Sequence, residues 1–220
     1  MANILIFDTS TEMFSVALKV KGNVFSFQQI APRQHTQLLL PIIDKLLEEA
    51  GISLAEINVL AFGQGPGSFI GLRIAASAVQ GLALGQHIPV VAVPTLQLLA
   101  QQAYVLTGRC RIAAAIDARM AEVYWNIFAL DNNQLMQPLQ ADQLCGCEQI
   151  IFPADSDRDK FFLAGNGWGC TPYRSEENKG ETVFPVAAAG IAIAEQLWKE
   201  GKTLSATEIE PLYLRNNVTS

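Results

Sequence analysis

Histidine is scarce in these 220 residues, with only His35 and His87 present. No H-x-x-x-H or H-E-x-x-H pair exists, which excludes the histidine-based metal centres of hydrolases. A G-x-S-x-G turn for a nucleophilic serine and a G-x-x-x-x-G-K-[ST] phosphate loop are also missing. Charged residues make up only 16% and the net charge is −6, so the chain has no general electrostatic grip on nucleic acid. If RNA is the final target, something else holds it. No apolar run reads as a membrane span, because the longest apolar helix contains Arg73 and several glycines. A secretory leader is not expected either: the apolar run at 3–7 is short and ends at Asp8, so Met1 reads as the mature start. The four cysteines, Cys110, Cys145, Cys147 and Cys170, are therefore expected as free thiols of a reducing cytoplasm. Cys145-Gly146-Cys147 lacks the second pair or the histidine that would complete a metal site.

Half of the residues are apolar, enough for a well-packed core with surface to spare. The chain is arranged around Ala61-Phe62-Gly63-Gln64-Gly65-Pro66-Gly67-Ser68-Phe69-Ile70-Gly71-Leu72-Arg73-Ile74. A strand over 59–62 is predicted to run into a turn and directly into a helix over 68–86, with Ser68 as its N-cap. Gly63, Gly65 and Gly67 permit positive φ and close backbone approach. Such a unit offers amide groups and a helix N-terminus to an anion. It is equally the pattern of a tight, well-capped turn with no ligand. The helix carries one charged side chain, Arg73, and small residues at Gly71, Ala75, Ala76, Ala78, Gly81, Ala83 and Gly85. A helix that is apolar all round needs cover all round. One face goes on a sheet; the other needs a second cover, from this chain or from a partner. The small residues allow close approach at a cost in helix propensity.

Three strands in a meander are predicted first, over 3–7, 14–20 and 24–30, with Lys21-Gly22-Asn23 as a hairpin turn. A helix over 35–50 follows and stops at Gly51. Its apolar set spans an arc of ~200°, about twice what one core requires. Pro41 is expected to kink it. A strand over 89–93 and a helix over 94–104 complete the order βββαβαβα, a mixed sheet with right-handed crossovers. The second half begins the same way, with strands over 111–116 and 123–130, an Asp131-Asn132-Asn133 turn and a third strand within 134–139. A short helix over 142–149, a charged loop over 155–160, a helix over 186–200 and a tail Pro211-Leu212-Tyr213-Leu214-Arg215 end the reading.

Asp8 and Asp117 hold the same place in two hairpins half a chain apart, and Leu60-Ala61-Phe62-Gly63-Gln64-Gly65 is echoed by Leu163-Ala164-Gly165-Asn166-Gly167-Trp168. Two echoes in the same order suggest an internal duplication. The two aspartates either flank a phosphate–metal site between two lobes or accept hydrogen bonds from their own turn amides.

Asp8-Thr9-Ser10, the helix start His35-Thr36-Gln37 through Leu40-Pro41, the segment Gly63-x-Gly65-Pro66-Gly67-Ser68-Phe69-x-Gly71-Leu72-Arg73, Ile116-Asp117-Ala118-Arg119 and Tyr213-Leu214-Arg215-Asn216-Asn217 together resemble the TsaB (YeaZ) family over nearly the whole chain. The resemblance implies an α/β fold of two duplicated lobes of the actin/hexokinase/Hsp70-like (ribonuclease H-like) type, with mixed sheets and a reduced second lobe. The lobes would be 1–106 and 107–220, the second including the C-terminal tail. It also implies a bacterial cytoplasmic protein of the tRNA threonylcarbamoyladenosine pathway, with no membrane association. In that family the chain pairs with its paralogue TsaD, and the ATPase TsaE joins them. The complex moves threonylcarbamoyl from its adenylate to N6 of the adenosine beside the anticodon, in tRNAs that read codons beginning with A. TsaD carries the active site, and the present chain would be a non-catalytic scaffold that reaches tRNA only through the complex. No cofactor of its own is implied; ATP and Mg²⁺ would serve its partners.

TsaD-like chains carry a metal-binding H-x-x-x-H just after the strand matching 89–93. Here Thr95 and Leu99 stand in the histidine places. The second phosphate loop, D-x-G-G, is replaced by Asp117-Ala118-Arg119-Met120, whose side chains would block close backbone approach. The resemblance thus makes Asp8, Thr9, Gly65, Gly67 and Asp117 vestigial phosphate loops. It puts the TsaD contact on the first-lobe helices, at Leu38, Leu39, Ile42, Leu46, Leu72, Ala75, Ala76, Val79 and Ala83. Without TsaD the same surface would pair two copies of the chain. A bulky charged residue at Ala75 or Ala83 is expected to break the complex and leave the monomer folded. Two other readings stand beside this one: a nucleotide-dependent phosphotransferase or hydrolase using Asp8, Asp117 and residues 65–67, and a peptidase acting on TsaD.

Overall fold

The computed structural model describes residues 2–152, 160–173 and 182–215. The meander forms as β1 (Ile4–Asp8), β2 (Met13–Val20) and β3 (Asn23–Ile30). Lys21 and Gly22, both at positive φ, make the β2–β3 turn, a backbone that matches the twist of paired strands. Helix α1 (His35–Ala50) follows and ends at Gly51 in the left-handed region. Strand β4 (Val59–Gly65), helix α2 (Phe69–Gln86), strand β5 (Val90–Pro94) and helix α3 (Thr95–Thr107) complete the first half. The sheet order is β3-β2-β1-β4-β5, antiparallel in the meander and parallel from β1 onward.

Strand parity sorts the core into two layers. Leu5, Phe7, Phe14 and Leu60 face α1 and α2, where they meet Leu39, Ile43, Ala75 and Val79. Ile4, Ile6, Ala61 and Val91 face the opposite way, onto Leu98 of α3 and onto Ala187, Ile191 and Ala194 of α4 (Ala187–Lys199).

A second sheet lies beyond α3. It consists of β6 (Arg111–Arg119), β7 (Glu122–Leu130), β8 (Met136–Pro138) and β10 (Phe162–Ala164), in the order β10-β6-β7-β8, with β9 (Gln143–Gly146) also paired to β7. One face packs on Leu96, Leu99 and Ala103 of α3; the other holds Trp125, Phe161 and Trp168. Both echoes read in the sequence are visible here. β1–β2 and β6–β7 are equivalent antiparallel hairpins, and β4 and β10 are equivalent parallel neighbours of β1 and β6. The result is the duplicated, actin-like α/β arrangement, with a second half that keeps the sheet and loses most of the helices.

Three expectations need correction. Residues 142–149 contain strand β9 rather than a helix, because Leu144 and Cys145 complete a ladder against Tyr124 and Val123 of β7. Strand β4 continues through Gly63 to Gly65 instead of turning at Phe62, since β5 runs alongside and the Gly65 amide donates to Thr95 Oγ1. Cys147 and Cys170 are joined in a disulfide, with only Cys110 and Cys145 free. Of the two covers expected for α2, the sheet supplies one, over Leu72, Ala75, Val79 and Ala83; among the described residues nothing buries Ile70, Arg73, Ser77 and Leu84, which leaves the second to a partner, as the sequence reading allowed. We propose 1–106 and 107–220 as the lobes by strand topology, but α4, from the later half, lies against β1 and β2 of the first sheet. The charged loop over 155–160 lies, apart from Lys160, outside the described residues, as do Asn216 and Asn217.

Candidate functional site

The two hairpins open onto a cleft of about 720 Å³ between the halves. One wall comes from the end of β1, the turn before α1 and the start of α2. The other comes from Ile116 to Arg119, Tyr124 and Asn166, and the tail residues Leu212, Tyr213 and Arg215 close the rim.

Asp8 lies inside the first wall, fully buried. Its Oδ1 accepts hydrogen bonds from the Ser10 amide (3.1 Å) and the Ser10 hydroxyl (2.8 Å). Its Oδ2 has no partner among the described residues, and a Cβ on Gly63 would overlap that oxygen. Burial pushes the Asp8 carboxyl up to about 7, against the opposing effect of the Ser10 hydrogen bonds. Thr9 is also fully buried, and its hydroxyl donates to the Gly71 carbonyl at 2.7 Å. Gly65 is covered by the tail, with Leu212 O placed 2.7 Å from where its Cβ would be. Asp8, Thr9 and Gly65 thus stand behind the wall, and only Gly67 and Asp117 of the five expected loop residues line the cleft.

Asp117 repeats the logic of Asp8. Its Oδ1 accepts from the Arg119 amide at 2.8 Å and its Oδ2 from the Arg119 guanidinium at 3.2 Å. Both aspartates therefore bind the amide two residues on, the role of an Asx turn. At the tip of this hairpin Arg119, Met120 and Ala121 all have positive φ, the conformation glycines would adopt more cheaply. Side chains project where a phosphate would need bare backbone. With one aspartate sealed and the other tied to its own arginine, these residues do not fit a nucleotide phosphate with a metal ion. Among the described residues no group of three or more His, Cys, Asp or Glu side chains gathers to hold a metal. His35 stacks on Phe14 at 5.9 Å and is buried, its Nε2 without a partner among the described residues. Burial lowers its pKa, against a hydrogen bond to the Glu12 backbone. His87 caps the far end of α2.

The tail is a strap that no sequence signal announced. The Leu212 amide donates to Gln64 O at 2.9 Å, and Gln64 Nε2 donates to Glu210 O at 3.1 Å. The Tyr213 ring meets Phe69 at 5.4 Å and its hydroxyl accepts from Arg73 Nε at 3.1 Å. Arg215 reaches the other half, donating to Ala118 O at 3.1 Å and pairing with Glu122. The tail thus fastens β4 and α2 to the β6–β7 hairpin. Arg215→Ala is expected to free the end of the strap, read as faster proteolytic cutting near Tyr213 with the core left intact.

A second feature lies outside the cleft. A groove of about 490 Å³ runs between α1 and α2, over Leu40, Phe69, Ile70, Ile74 and Ala78. Leu40 is 52% exposed, Ile70 70% and Leu84 56%. Of the nine expected contact residues, Leu39, Leu46, Leu72, Ala75, Ala76, Val79 and Ala83 point into the core, while Leu38 and Ile42 are half-buried. The apolar surplus is real, but its exposed share belongs to neighbouring positions, because each helix turns its tightest stripe onto the sheet. A bulky charge at Ala75 or Ala83, 0% and 2% exposed, would unfold the monomer rather than test a contact.

Comparison with known proteins bears on both features. The family model for TsaD, tRNA N6-adenosine threonylcarbamoyltransferase, matches residues 22–197. The tRNA threonylcarbamoyladenosine biosynthesis protein TsaB of Escherichia coli (strain K12) is 40% identical over 98% of this chain and 95% of its own. The protein of the same name from Haemophilus influenzae is 38% identical over 98% and 94%. A crystal structure of a Pseudomonas aeruginosa protein with similarity to peptidase YeaZ superimposes with a TM-score of 0.91 at 40% identity, covering 98% of this chain and all of that one. With a TsaD-type core, a duplicated actin-like fold and relatives matched from end to end, the chain belongs to the TsaB family of tRNA threonylcarbamoyladenosine biosynthesis proteins.

Proposed function

We propose that this chain is a non-catalytic cytoplasmic subunit of a tRNA threonylcarbamoyltransferase complex, acting by docking a TsaD-type transferase on the exposed faces of α1 and α2. The observation that carries the reading is the apolar groove between these helices, with Leu40 and Ile70 exposed on a chain whose core is already complete beneath them. The cleft supports the same division of labour, since Asp117 on its wall and Asp8 behind it each serve their own turn. The transferase partner would supply the active site that places threonylcarbamoyl on N6 of the adenosine beside the anticodon. ATP, Mg²⁺ and TsaE would act through the complex, and tRNA would be met only there. Alone, two copies would pair through the same face.

Ile70→Asp and Ser77→Arg test this, because both side chains are exposed and neither supports the core. Each is expected to weaken the one-to-one complex with the transferase by roughly 2 kcal/mol, about 30-fold. The melting temperature of the isolated chain should stay within about 2 °C. Light scattering on a size-exclusion column reads the complex directly. If both variants bind like the unaltered chain, the docking face lies elsewhere.

A further inference from the structure

The second half carries a cysteine pair that the proposed docking of a transferase does not call on. Cys147, just after β9, is buried at 5% exposure, and Cys170, at the end of the turn over Gly167–Cys170, is exposed. They form a disulfide with Cα atoms 5.6 Å apart. Cys145 is free, half-buried and held protonated by that burial, which pushes its thiol up.

The pair sits in a closed circuit of contacts around the second wall of the cleft. From Cys170 the chain leads back through the Gly167 turn to Asn166, whose Oδ1 accepts from the Asp117 amide at 3.0 Å. From Asp117 the hairpin tip leads to Ala121, whose carbonyl accepts from the Cys147 amide at 2.9 Å. The disulfide then returns to Cys170. The Gly167 turn is pressed on β6 so closely that a Cβ there would lie 2.9 Å from the Ala115 and Ile116 backbone. Asp117, Ala118 and Arg119 of this circuit line the cleft, and Ala118 O also receives the strap residue Arg215.

We propose that Cys147–Cys170 is a thiol–disulfide exchange site for low-molecular-weight thiols of the glutathione class, and that its redox state sets how firmly the second wall of the cleft is held. Exposure decides the order of events. A glutathione thiolate attacks Cys170 Sγ, forms a mixed disulfide there and leaves the electron pair of the broken S–S bond on Cys147 Sγ, which takes a proton from water. A second thiolate attacks the glutathione sulfur of the mixed disulfide, releasing glutathione disulfide and the Cys170 thiolate, which is protonated in turn. One protein disulfide and two glutathiones become two protein thiols and one glutathione disulfide; oxidation is the reverse. The reduced state has a place for its new donor, because Gly167 O lies 3.5 Å from Cys170 Sγ. The circuit then opens at the sulfurs, and the hairpin tip is left with its hydrogen bonds alone.

The full chain, equilibrated in glutathione buffers of graded redox ratio, quenched and alkylated, tests the site by intact mass. At the oxidising end only Cys110 and Cys145 should carry an alkyl group or a glutathione adduct, and at the reducing end all four cysteines should alkylate. Reduction should speed hydrogen exchange at the Asp117 and Cys147 amides about tenfold. It should also lower the melting temperature by about 8 °C. Cys170→Ser should show three cysteines carrying an alkyl group or a glutathione adduct at every ratio, and the fast exchange of the reduced chain. Four alkylated cysteines in the oxidising buffer, or two in the reducing one, would overturn the exchange site. Equal amide exchange in the two redox states would overturn its link to the cleft. Both of these outcomes are read on the unaltered sequence, so the folding of the serine variant is not required.

Discussion

Gly71→Ala is expected to cost about 3 kcal/mol and lower the melting temperature by about 10 °C, although alanine is the better helix former. A Cβ at Gly71 would overlap the Thr9 carbonyl oxygen. That carbonyl cannot step aside cheaply. Thr9 is fully buried and its hydroxyl is bonded to Gly71 O, while the next carbonyl, Ser10 O, receives the Ser68 amide at 2.7 Å. The start of α2 and the end of β1 are therefore locked together, and any relief at Gly71 must move both. Gly81→Ala and Gly85→Ala are the controls. Among the described residues nothing lies within 4 Å of a Cβ at either, and both are exposed. Each should stabilise the isolated chain by about 0.5–1 kcal/mol. Gly81→Ala should also weaken the transferase complex, if the proposed face is correct, because an added methyl holds the partner's backbone away. Chemical unfolding of the three variants decides the matter: equal stabilities for Gly71→Ala and Gly81→Ala would show that the lock is not there.

Asp8 sets the second large effect. In the unfolded chain its carboxyl ionises near the model-peptide value of 3.8, and burial in the folded chain raises this to about 7. Between these values the folded state keeps a proton that the unfolded state has released. Stability therefore falls as pH rises through this window, by about 1.4 kcal/mol per pH unit, and levels off above the folded value. Asp142, raised by burial, acts in the same direction, whereas Asp131 and Glu195, both lowered, cost stability only at the acid end. Comparing the protein with Asp8→Asn isolates the contribution. The asparagine keeps an acceptor for Ser10 and cannot ionise. The variant should gain roughly 3 kcal/mol on the parent between pH 5 and pH 8. Urea unfolding at the two pH values measures it, and parallel pH curves would mean that Asp8 finds a partner when ionised.

Much of the architecture was legible in the chain because it rests on local chemistry. The αL glycine at 51 ends α1 as expected, and Ser68 Oγ accepts from the Gly71 amide at 3.3 Å as an N-cap should. The Lys21–Gly22 turn, the apolar runs of β1 and β6 and their return strands β2 and β7 place the two hairpins, and the echo of Asp8 in Asp117 places their equivalence. The misreadings arose where a residue's surroundings come from distant segments. Gly63 resembles a loop glycine, but it is a strand residue whose missing side chain makes room for the Asp8 carboxyl. Leu144 and Cys145 have no strong strand signal and become one because β7 has a free edge. Ala75 and Ile70 are both apolar residues of one helix. Composition cannot tell which of them faces the sheet when the whole helix is apolar and the amphipathic signal is weak.

Apolar runs, caps and turn residues, each acting within a few positions, determined that this chain would form two duplicated hairpin sheets joined by apolar helices. The tertiary structure alone decided that Asp8 would be sealed, that Cys147 would meet Cys170, that the tail would bind both halves and that Leu40 and Ile70 would be left exposed along the groove between α1 and α2. Those outcomes depend on which segments, distant in the chain, share a face, and the free energy of burial is settled only when they meet.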